Sequence, residues 1–104
     1  MGTTTYGTQD MQAFRRRTQS EYYTGTAGAT ATQITFNQQS KAILVVNEGA
    51  DPCRIHSTGG TPTATVGVLL NAGASYSNQD IQTESIGIIR TTAVSTTVRV
   101  EVIF

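Results

Sequence analysis

The chain has no tryptophan, one cysteine, one histidine, two prolines and no net charge, and each shortage removes a class of protein. A lone cysteine cannot close an intrachain disulfide, so a small secreted module stapled by bridges is excluded. One cysteine and one histidine fall short of the three or four ligands that a zinc site takes from Cys, His or carboxylate. Seven basic side chains are balanced by seven acidic ones. That balance leaves no broad basic face and argues against direct nucleic-acid binding. No apolar run reaches membrane-spanning length, and the opening MGTTTYGTQD lacks the apolar stretch of a secretory leader. Gly2 does not make a myristoylation signal, because that pattern asks for Ser or Thr where Tyr6 stands. The expectations are therefore no membrane association and assembly in a cytoplasm.

What remains is rich in threonine, glycine, valine and isoleucine. Threonine and the β-branched aliphatics fit half-buried pleated surfaces, so the bias predicts an all-β fold. At 104 residues there is one domain, able to bury roughly 60–70% of the surface its unfolded chain exposes. Apolar residues are scarce in residues 1–31 and dense in residues 41–70 and 81–104. Residues 1–30 are read as an N-terminal arm. A short helix starts at Asp10 as N-cap and carries Met11, Ala13 and Phe14, and a Gly/Thr linker follows Tyr23. Residues 31–104 are read as the folded domain.

In that domain TATQITF alternates, with Thr32, Ile34 and Phe36 on one face. KAILVVN is a near-continuous apolar run, the signature of a strand buried on both faces. EGADP reads as a turn in which Gly49 supplies positive φ and Pro52 sets the entry to CRIHS. ATVGVLLN, a strand through Tyr76, one or two strands in IQTESIGIIRTT, and TTVRVEVIF complete the set. Short strands punctuated by glycine turns predict a small antiparallel β-sandwich or jelly roll.

The stretch NEGADPCRIHS raises the question of chemistry, since it holds the only cysteine and histidine beside Glu48, Asp51 and Arg54. Strand parity answers it. If CRIHS is extended, Cys53 and Ile55 face one way and Arg54 and His56 the other, so a Cys–His nucleophilic pair cannot meet. Cys53 is then a small buried hydrophobe. A metal shared between subunits at His56 would need ligands the chain does not show. The glycines of STGGTPT are followed by neither Lys-Ser/Thr nor a helix, so a phosphate-cradling loop is rejected. Asp80 and Glu84 carry no mark of a buried catalytic pair. No catalytic residue, metal site or cofactor is assigned, and the chain is read as non-enzymatic.

One exposed element stands out. FRRRTQSEYY sets Arg15, Arg16 and Arg17 between Phe14 and the pair Tyr22 and Tyr23. Arginine and tyrosine recur at protein-contact hot spots, so these six residues are the candidate contact site. A solvated helix end and a weak nucleic-acid footprint are the alternatives.

Read in order, ILVVNEG, CRIHSTGG, GVLLNAGASYS and SIGIIRTTAVSTTVRVEVIF resemble small β-sandwich virion proteins of tailed bacteriophages, above all capsid decoration (cement) proteins. The resemblance covers about residues 41–104. It implies a structural role: binding the major capsid protein on the capsid surface as a homotrimer at local threefold positions, with the arm ordering against the shell or a neighbouring subunit. The same outline occurs in head-fibre and tail-associated modules. A receptor- or glycan-binding module is therefore the alternative, using STGGTPT, NAGASYSNQD and the ring of Tyr76.

Overall fold

The computed structural model describes residues 20–104. Among them are eight strands and no helix: β1 (Ser20–Ala27), β2 (Thr32–Thr35), β3 (Ala42–Asn47), β4 (Cys53–His56), β5 (Val68–Leu70), β6 (Ser75–Asn78), β7 (Ser85–Arg90) and β8 (Thr96–Ile103). They form two four-stranded sheets, ordered β1-β8-β3-β6 and β2-β7-β4-β5, with every pairing antiparallel. The chain passes back and forth between the sheets, and only β4 and β5 are consecutive strands that pair. Eight antiparallel strands in this order are a jelly roll, two interlocked Greek keys folded into a sandwich. The all-β expectation is met.

Alternation along the strands creates the core. On β8, Val98, Val100 and Val102 are fully buried while Thr97 and Arg99 are exposed. On β3, Ile43 and Val45 point inward against them, and Ile86 and Ile88 of β7 and Ile55 of β4 close the core from the other sheet. Each fully buried aliphatic side chain contributes about 1.5–3 kcal/mol of transfer free energy.

Three expectations are corrected. The arm does not extend to residue 30, because Ser20–Ala27 is a sandwich strand paired with β8 along its whole length. The glycine that suggested a linker is there for close packing: a Cβ on Gly25 would sit 2.8 Å from Cγ1 of Ile34. The short helix expected around Asp10 lies outside the described residues. The second correction concerns β3, which is buried on one face only: Ala42, Leu44 and Val46 are half-exposed. Their sheet is an outer layer with no described element laid over it. The other sheet is different, because residues 57–67 fold across its outer side. There Pro62 is buried, and a Cβ on Gly87 would lie 2.1 Å from the Gly60 carbonyl oxygen.

The third correction concerns Gly49, which does not take the positive φ expected of it; among the described residues only Gly59, Gly67 and Gly73 do. The two strands of NEGADPCRIHS belong to different sheets, so its turn is a bridge across the end of the sandwich. A second tie crosses the sandwich where Ser40, buried in the β2–β3 loop, donates to the Ile81 carbonyl (2.7 Å) and accepts from the Thr83 amide (3.1 Å).

Candidate functional site

The bridge at residues 47–57 is organised by Asn47, which is fully buried. Its Nδ2 donates to the carbonyls of Asp51 (2.7 Å) and Leu70 (3.0 Å). Its Oδ1 accepts from the Gly49 amide (3.1 Å) and the Thr96 hydroxyl (2.8 Å). All four hydrogen-bonding positions of the amide are filled, the condition under which a buried amide stabilises the fold. Glycine is required at 49 because a Cβ there would fall 1.8 Å from Oγ1 of Thr96.

Beyond the bridge, parity separates the reactive side chains as the sequence implied. Cys53 is buried in the core, and desolvation pushes its thiol up to about 11. A thiol in that setting is a poor nucleophile at neutral pH. His56 lies exposed on the opposite face of β4. Its Nδ1 accepts from the Gly60 amide (3.0 Å) and lies 3.2 Å from the Thr58 hydroxyl, which places the neutral ring's hydrogen on Nε2. Arg54, on the same face, donates from Nε to the Ala64 carbonyl (3.1 Å) and from Nη1 to the Gly67 carbonyl (2.8 Å). Together they brace residues 57–67 against the sheet. The adjoining depression, of about 190 Å³, is shallow and lined by Ile55, His56, Ser57, Gly67 and Val68.

The candidate contact residues fall into three groups. Phe14, Arg15, Arg16 and Arg17 lie outside the described residues. Tyr22 stands on the outer face of the β1-β8-β3-β6 sheet, 63% exposed. Tyr23 points the other way, its ring 5.2 Å from that of Phe36. Its hydroxyl donates to Glu21 Oε1 (2.5 Å) and accepts from the Asn37 amide (2.9 Å), while Asn37 Nδ2 also donates to Glu21 (2.8 Å). Desolvation, then the Glu21 hydrogen bond, hold the Tyr23 phenol above its ordinary value. Tyr23 is thus a packing residue that pins β1 to the β2–β3 loop, and only Tyr22 of the pair offers a free ring.

Tyr76 is half-buried and packs against the core, so it presents no open platform for a sugar. Among the described residues no group of three or more His, Cys, Asp or Glu side chains is placed to hold a metal ion, and no helix is long and apolar enough to cross a membrane. Sequence reasoning missed the outer sheet face. The register places Tyr22, Glu101, Leu44 and Ser77 in one row across it and Thr24, Arg99, Val46 and Ser75 in the next. The signal was the unbroken apolar run of β3, read as a strand covered on both sides. No family model matches the chain, and no curated protein or solved structure is significantly similar to it.

Proposed function

We propose that this chain is a non-enzymatic structural protein of a tailed-bacteriophage virion, a decoration or cement protein that binds the major capsid protein lattice from outside and stabilises the head. The observation that carries the reading is how the fold spends its reactive residues. Cys53 fills core, His56 and Arg54 hold a loop, and Asn47 ties the sandwich end, so the chemistry of NEGADPCRIHS is consumed in building a rigid jelly roll. Jelly rolls recur in viral capsid domains, and a neutral, hydroxyl-rich exterior suits a protein that lives on a crowded shell. The resemblance in residues 41–104 points the same way.

Attachment runs through the segment ahead of β1, where Phe14 and Arg15, Arg16 and Arg17 supply an aromatic anchor and directed donors, with Tyr22 at its root. Self-association multiplies weak contacts of this kind through effective concentration. The test is a deletion of residues 1–19, which leaves β1 intact. Co-sedimentation with capsids built from the major capsid protein of the same genome should be lost while the thermal unfolding of the sandwich is retained. Unchanged capsid occupancy after that deletion would remove the segment from the interface.

A further inference from the structure

We propose that the outer face of the β1-β8-β3-β6 sheet is a twofold interface with a second copy of this chain; the inference deepens the self-association in the reading above by assigning its surface. Three observations carry it. First, β3 is apolar at every position from Ala42 to Val46, yet its outward side chains Ala42, Leu44 and Val46 are only half-buried. Ile103 of β8 extends the apolar stripe beside Ala42, and Tyr22 of β1 adds an exposed ring on the far side of Glu101. The opposite sheet, whose outer side is crossed by residues 57–67, shows that this fold can cover part of such a face from its own chain, with Leu69 left exposed there. Here no described segment does so.

Second, the charges on the face are complementary to themselves. Arg99 and Glu101 lie two residues apart on β8, on either side of Val100, and Leu44 and Val46 lie on either side of Val45, its partner in register. A twofold axis in the interface plane, crossing the strands at the level of Val45 and Val100, sets Arg99 of each copy against Glu101 of the other. It also sets Leu44 against Val46. Arg99 gives its Nε to Glu48 at 2.7 Å, and its remaining guanidinium N–H groups have no partner among the described residues. Fixed-geometry forks of this kind suit pairing across an interface. Third, the chain is uncharged overall, so no long-range repulsion opposes the approach of two copies.

The area sets the strength. Four strands about 4.8 Å apart, with six or seven residues each at about 3.4 Å, give roughly 450 Å² per face in projection. Two such faces bury about 900 Å², below the standard specific interface and in the range of weak, reversible contacts. The dimer is therefore concentration-dependent, and a twofold contact replaces the threefold assembly that the resemblance implies.

Sedimentation velocity of the full chain across a concentration series tests this. The wild type should pass reversibly from monomer to dimer. Arg99→Glu and Glu101→Arg should each weaken the dimer about tenfold or more, and the swapped double variant R99E/E101R should recover most of that loss. Tyr22→Lys, at an exposed position, should also weaken it, whereas Val66→Lys, in the loop over the far sheet, should not. A chain that stays monomeric at millimolar concentration, a trimer, or a dimer indifferent to Glu101→Arg would overturn the proposal. None of these measurements involves capsids. Failure here leaves capsid binding standing, and failure of capsid binding leaves the dimer standing.

Discussion

The hydroxyl of Thr96 donates to Oδ1 of Asn47 at 2.8 Å, both residues are buried, and the bond joins positions 49 residues apart. It fastens the start of β8 to the end of β3, where the chain leaves one sheet for the other. Asn47→Ala leaves the Asp51 and Leu70 carbonyls, the Gly49 amide and the Thr96 hydroxyl without their partner. Since a buried polar group left unpaired costs about 1–3 kcal/mol, a loss of at least about 3 kcal/mol is expected in urea unfolding. Thr96→Val breaks one of the four contacts and should cost about 1–2 kcal/mol. Equal losses for the two variants would contradict the central place given to Asn47.

Gly49→Ala drives a methyl group into Thr96 Oγ1 and should destabilise the sandwich by at least about 2 kcal/mol. Thr96→Ala in the same chain removes the clashing oxygen, so the double variant should be more stable than the sum of the single losses. Strict additivity would mean that the glycine is needed for something other than this close approach.

Cys53 is raised to about 11 by burial, against about 8.5 for a free thiol. Above the unfolded value the unfolded chain gives up its proton while the folded chain keeps it. Stability is therefore fully present below about pH 8.5 and falls as pH rises toward 11, by on the order of 1.4 kcal/mol per pH unit for this group. Cys53→Ala should flatten that alkaline slope. In native protein at neutral pH the thiol should resist a disulfide reagent, and it should react at once in denaturant. Rapid labelling of the folded chain would reopen a reactive role for Cys53.

Arg54→Ala frees the Ala64 and Gly67 carbonyls from their brace. The expected result is faster amide hydrogen exchange across residues 57–67, with a global loss of only about 1 kcal/mol because the loop is a surface element. His56→Ala should raise exchange at Gly60, whose amide it holds. A collapse of the whole fold on Arg54→Ala would show the loop to be part of the core.

Much of the sandwich was legible because period-two alternation is a local signal. Val98, Val100 and Val102, and likewise Cys53 and Ile55 against Arg54 and His56, sort onto faces from sequence alone. The sheet to which each strand belongs was not legible, since a turn that opens a hairpin and one that bridges two sheets use the same residue types. Gly25 and Gly49 misled for the same reason. Their missing side chains make room for Ile34 and Thr96, partners distant in sequence, whereas composition suggests flexibility or a turn. The opposed directions of Tyr22 and Tyr23 were implicit in a strand at Ser20–Ala27 and were hidden by reading that segment as an arm.

The most direct measurement of the proposed role is co-sedimentation of the full chain with mature capsids assembled from the major capsid protein of the same genome, read together with capsid melting. Saturable binding to the outer surface, with a higher capsid melting temperature when sites are filled, is the expected result. A chain that stays in the supernatant at every ratio, leaving capsid melting unchanged, would contradict it.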